Sequence, residues 1–264
     1  MKRLIQSTLL GLSLIAAGNA YADIVTVQFG GFTGAWINPS ATAGSGQPTT
    51  SGANTTNPLL RWGVPNVNGN GQQSGYDFAS MPGFSTMLDT DAGTSTDFTL
   101  GMFTHRNNII NAGSGWASLL SADLQLNTTV SIDGAPPIDV EFVFNFNHNE
   151  TNNVADPCAN GMANGSGVNI NGCADIITVT TAQFSDVIVV DNIAYTINIQ
   201  GFLANGMYAE SFQTIEENTN FATIIANISA TDISVPVSEP ASLAYLATSL
   251  LGFAAIRRRF GRRR

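Results

Sequence analysis

Residues 138–150 read IDVEFVFNFNHNE, and the alternation is strict. Val140, Phe142, Phe144 and Phe146 share one parity; Glu141, Val143, Asn145 and Asn147 share the other. Successive side chains of a strand point to opposite faces, so one face meets a core and the other is mostly polar. The same period marks STDFTLGMFTH and SLLSADLQLNTTVSI, the latter alternating from Leu120 onward. IVTVQFGGFTGAW predicts a strand with a glycine bend, and LLRWGVP a return to the sheet. DIITVTT, DVIVV, AYTINIQGF and FATIIANISATDI complete the set. Asp191-Asn192 tolerates positive φ and predicts a tight hairpin turn. Residues 38–58 hold little to bury and read as a long loop, as does the stretch up to about Gly75. ESFQTIEENTN has room for one helical turn. Short strands with Gly and Asn turns predict a single all-β domain, a two-sheet β-sandwich or jelly roll, over residues 23–235.

The two ends depart from this pattern. Lys2 and Arg3 precede an apolar run at 9–17, and Ala20-Tyr21-Ala22 places small residues at the −3 and −1 positions of a cleavage site. This predicts a secretory signal peptide, residues 1–22, cut by signal peptidase before Asp23. Residues 241–256 are apolar or weakly polar without a charge. As a helix they span about 24 Å, against a hydrocarbon core of about 30 Å. Arg257, Arg258, Arg259, Arg262, Arg263 and Arg264 follow at once and resist translocation. The reading is a marginal or transient transmembrane helix with the body on the far side of the inner membrane.

Charge follows the same division. Of the ten basic residues only Arg61 and Arg106 lie between Asp23 and Glu239, a span that carries all nineteen acids. Such a surface repels nucleic acid and anionic lipid. Cys158 and Cys173 bracket a Gly/Asn-rich loop and, in an oxidising compartment, predict a disulfide; a metal pair is the alternative, without a nearby His or further Cys to complete it.

The candidate chemistry is sparse. The two histidines, His105 in FTHRNN and His148 in FNHNET, each follow a predicted strand among asparagines. If those strands are neighbours, His105, His148 and Glu150 could bind a transition metal. Glu150, Asp156 and loop carbonyls could instead bind Ca²⁺. The competing reading has His and Asn satisfying backbone groups where strands end, with Arg106 paired to an acid such as Glu141. No metalloprotease helix, nucleophile elbow or phosphate loop occurs. Trp36, Trp62 and Trp116, if exposed, would offer faces to sugars; core packing is their other fate.

Two resemblances rest on these residues. Ser238-Glu239-Pro240, the apolar segment at 241–256 and the arginine cluster at 257–264 together resemble a PEP-CTERM sorting signal over residues 236–264. The usual first proline is Ser238 here, with Pro236 two residues earlier. The resemblance implies a Gram-negative host, processing by exosortase near that motif, and transient anchoring before release or surface display. Thr104-His105-Arg106-Asn107, with FNHNET and the paired cysteines before ADIITVT, resembles the THxN family of PEP-CTERM proteins and the related choice-of-anchor K domain, over residues 97–233. That implies an exported surface or matrix protein and brings no catalytic residues. The expectation is a non-enzymatic structural, adhesive or exopolysaccharide-associated protein that needs no cofactor. The alternative is a metal-dependent hydrolase or a Ca²⁺-stabilised binding module.

Overall fold

The computed structural model describes residues 24–181 and 186–233. The expected signal peptide (1–22) and sorting segment (236–264) lie outside the described residues. Sixteen strands follow in chain order: β1 (Ile24–Phe29), β2 (Thr33–Ala41), β3 (Thr49–Ser51), β4 (Leu59–Trp62), β5 (Ser74–Ser80), β6 (Phe84–Asp89), β7 (Thr94–Ser95), β8 (Phe98–Asn107), β9 (Leu119–Ile132), β10 (Ile138–Asn149), β11 (Asp175–Thr181), β12 (Ile188–Val190), β13 (Ile193–Ala204), β14 (Met207–Ala209), β15 (Ser211–Thr214) and β16 (Asn218–Asp232). Among the described residues the one helical element is a 3-10 turn at Gly167–Asn169. The protein is all-β.

The strands lie in two facing layers. One runs β3-β4-β5-β8-β16-β13, with β12 and β14 beyond β13. The other runs β15-β11-β10-β9, where β2 and β1 share the far edge of β9 and β6 lies beyond β1. The expectation of two separate sheets is corrected in one respect: both layers belong to one antiparallel sheet that folds over. The join is β7, which pairs with Leu88 and Asp89 of β6 on one side and with Ser229 of β16 on the other. The Ile228 N–H also donates to Ser95 Oγ at 3.0 Å. Two residues of Thr and Ser carry no periodic signal, so this corner is illegible in the sequence.

The alternation sorts side chains as expected. Val140, Phe142, Phe144 and Phe146 of β10 are buried, and Asn147 is exposed. In β9 the inward parity begins at Ala122 rather than Leu120, which is exposed. The β2–β9 pairing shifts register between Ile37 and Ala41, and that irregularity turns Leu119 inward instead. Across the core Phe103 of β8 meets Phe146 of β10 with ring centroids 5.1 Å apart, and Phe202 and Phe212 pack on them. Each such ring contributes roughly 1.5–3 kcal/mol by leaving water.

Three local expectations change. Residues 38–58 are not loop throughout, because β2 continues to Ala41 and β3 pairs with β4. ESFQTIEENTN forms β15 instead of a helical turn, since Phe212 and Thr214 turn inward and the strand pairs with β11. Trp36 and Trp62 are buried, so neither offers a face to a sugar; Trp116 is half-buried. The turn at Asp191-Asn192 is as expected, with φ of 50° and 64°, and joins β12 to β13.

Candidate functional site

The phenylalanine layer ends abruptly in polar chemistry. One step along β8 from Phe103 stands His105, and one step along β10 from Phe146 stands His148, on the same inward faces. Their ring centroids lie 5.3 Å apart. Trp62 of β4 stacks on His105 at 5.6 Å and meets His148 edge-on at 5.1 Å. Tyr76 of β5, the cross-strand partner of His105, completes the aromatic wall.

Polar atoms fill the space between. Tyr76 Oη lies 2.7 Å from His148 Nδ1. The His148 Nε2 atom is 3.2 Å from Glu150 Oε2 and 3.8 Å from Asp175 Oδ2. Glu150 Oε2 also accepts from the Trp62 indole at 3.3 Å. His105 Nδ1 lies 2.9 Å from Thr214 Oγ1, and Asn107 Nδ2 donates to the Thr214 carbonyl at 3.1 Å. The His and Asn of the THRN stretch thus converge on one threonine. Register sets this up, because β15 places Thr214 directly across from Asp175.

The loop between β10 and β11 delivers the remaining groups. Cys158 and Cys173 are joined by a disulfide across 15 residues. Asn169 Oδ1 accepts from Ala174 N–H at 3.0 Å, and Asn171 Nδ2 donates to the Glu216 carbonyl at 3.0 Å. Thr151 N–H donates to Asp175 Oδ1 at 2.8 Å. The loop therefore pins both ends of the segment that carries Glu150 and Asp175.

His105, Asp175 and Glu216 are fully buried, and three carboxyls share this neighbourhood. Burial, then the charges of Glu150 and Glu216, push Asp175 well above the usual carboxylate range, although the Thr151 hydrogen bonds pull the other way. Glu216 is pushed up to about 8, chiefly by burial and next by Glu150. Burial lowers His105 well below the imidazole range, and His148 adds to that. Tyr76 is raised by burial and by Asp175 and Glu150. His105 Nε2, Asp175 Oδ2, Glu216 Oε1 and Asn107 Oδ1 are buried without a hydrogen-bond partner. Leaving such an atom unpaired costs roughly 1–3 kcal/mol.

Of the expected trio, His105 and His148 are brought together, and Glu150 is tied to His148 alone. The carboxylate grouped with both histidines is Asp175, with the three ligand-capable atoms within 4.8 Å of one another. Sequence reasoning passed over Asp175; its signal was an acid sharing parity with Ile177 and Val179 on a buried strand face. Glu216, in a turn, had none. The histidines bond side chains rather than strand-end backbone, whereas Asn107 and Asn108 do accept that role, Asn108 donating to the Gln73 carbonyl at 2.7 Å. Asp156 sits exposed on the disulfide loop while Glu150 turns inward, so these two acids face different surroundings. Arg106 pairs not with Glu141 but with Asp77, at 2.9 Å, and Arg61 shares the same carboxylate at 2.5 Å. Glu141 accepts from Gln125 instead.

Fold and site together define a class: an all-β protein with a histidine–carboxylate cluster buried between its layers. No family model matches the chain, and no curated protein matches it.

Proposed function

We propose that this protein is exported across the inner membrane, transiently anchored, processed by exosortase, and displayed on the surface or in the extracellular matrix in a structural or adhesive role. The observation that carries the reading is the Cys158–Cys173 disulfide, which belongs to an oxidising compartment. The leader-like and PEP-CTERM-like ends support the route. Both body arginines are spent on Asp77, so the acidic body offers no cationic face to nucleic acid or anionic lipid. A matrix of neutral exopolysaccharide is a compatible neighbour for its Asn-, Thr- and Gly-covered surface. Non-catalytic work agrees with the burial of His105 and Asp175, which present no ligating atom to solvent.

Fractionation of cells with and without exosortase tests the proposal. The expected result is a shorter product outside the inner membrane only where exosortase is present; equal mass and location in both strains would defeat it.

One observation favours a second reading, a metal-dependent hydrolase. Glu150 lines a cavity of about 540 Å³ with Asn66, Ile109, Asn152 and Asn153, so a substrate entering there would meet a carboxylate backed by His148. Turnover of ester or glycan substrates that disappears in Glu150→Gln would favour this reading over the first.

A further inference from the structure

The geometry points to a closed transition-metal centre of the zinc class, in which His105, His148, Asp175 and Glu150 bind one divalent ion and staple the two layers of the folded sheet. This goes beyond the export reading and stands on the cluster alone.

Four observations converge. The first is unmet bonding: His105 Nε2 and Asp175 Oδ2 are both buried without a partner, and one ion between them would satisfy both. The second is orientation. Each imidazole has its Nδ1 beside a hydroxyl, Thr214 for His105 and Tyr76 for His148, which leaves both Nε2 atoms for the ion. A metal-bound imidazole characteristically donates its other N–H to such a neighbour.

The third is spacing. Tetrahedral zinc with bonds of about 2.0–2.1 Å has ligand atoms about 3.3 Å from one another. His148 Nε2 lies 3.2 Å from Glu150 Oε2 and 3.8 Å from Asp175 Oδ2, close to two edges of that tetrahedron. His105, His148 and Asp175 offer ligand atoms all within 4.8 Å of one another, so closing on one ion draws them together by up to about 1.5 Å. The fourth is charge. Glu150, Asp175 and Glu216 crowd together, and both body arginines are held elsewhere by Asp77. A dication with two neutral imidazoles and two carboxylates is neutral.

The donor set names the metal class. Two imidazoles disfavour Ca²⁺ and Mg²⁺, which take oxygen ligands. Both cysteines are in the disulfide, so no thiolate is present to select a softer ion. Four protein ligands with no open position make the centre structural rather than catalytic.

The test uses the full-length chain in mild detergent, stripped with chelator and titrated with Zn²⁺ alone. One equivalent should bind per chain, with a rise in Tm that chelator reverses. Asp175→Asn and His148→Gln should each abolish that uptake, and Thr214→Val should weaken it roughly tenfold. No uptake and no Tm shift would overturn the inference, as would undiminished uptake in both ligand variants. Should the variants not fold, zinc-edge X-ray absorption of the unmodified protein decides. A shell with two imidazoles and oxygen supports the centre, while an all-oxygen shell means adventitious binding to surface acids and overturns it.

Discussion

Phe103–Phe146 and His105–His148 are the same pair of strands one step apart. The centroid separations are nearly equal, 5.1 Å and 5.3 Å. Both pairs are buried between the same layers. What differs is whether burial completes the interaction. Phenyl rings need only contact, so the first pair is finished once water leaves. Imidazoles and carboxylates need directed partners, and the second pair remains unfinished, with His105 Nε2 and Asp175 Oδ2 unpaired. One pair is held by the hydrophobic effect; the other keeps polar atoms that burial alone does not satisfy.

The sharpest way to separate the layers is to remove a ring. Phe146→Ala should cost about 3–5 kcal/mol through lost burial and the cavity left behind. Chemical denaturation reads that loss. Zinc uptake by the folded fraction should persist, because the Phe146 ring packs on Trp36, Tyr76, Phe103 and Phe202. Loss of uptake together with stability would mean that the two layers are one energetic unit.

Next in size is the disulfide. Replacing Cys158 and Cys173 together by Ser should cost roughly 3 kcal/mol, the loop-closure value for a crosslink across about 15 residues. It should also weaken zinc binding, since the loop pins the segment that brings Glu150 and Asp175 inward. A melting curve and a zinc titration on the double variant check both parts.

A smaller effect is expected from Tyr76→Phe. The aromatic packing survives, but His148 Nδ1 loses its hydroxyl neighbour, at roughly 1–3 kcal/mol in the metal-free protein. A cost near zero would show that the Tyr76–His148 contact carries no weight.

The smallest is a pH slope, measured in chelator. The folded state keeps Glu216 protonated up to about 8, whereas the unfolded chain releases that proton near 4.5. The folded state therefore binds more protons between those values, and stability falls as pH rises through that window. Its contribution is fully present below 4.5 and is lost above about 8. His105, lowered in the folded state, acts in the opposite direction only below its ordinary value of 6.5. Between 6.5 and about 8 the raised Glu216 carboxyl still gives a downward slope, so Glu216→Gln should flatten it there; an unchanged slope would refute that assignment.

Much of the fold was legible because strand alternation is local. Val140 to Phe146 declared their face by parity, and His148 continues that parity. Asp191-Asn192 declared its turn by tolerance of positive φ. The site was half legible. His105 and His148 stood out by rarity, but Asp175 looked like an ordinary first residue of a strand, and Glu216 like an ordinary turn acid. Trp36 and Trp62 could not be assigned to surface or core, since the same indole suits either.

The sequence by itself determined the all-β class, the inward faces of the long strands and the acidic character of the body, because each depends on neighbouring residues or on totals. Only the tertiary structure decided that β7 joins the layers, that Asp77 takes both arginines, and that five strands and a turn send their polar groups to one buried point. Those outcomes depend on which strands pair and in what register. That is settled by contacts between residues far apart in the chain, which local periodicity does not encode.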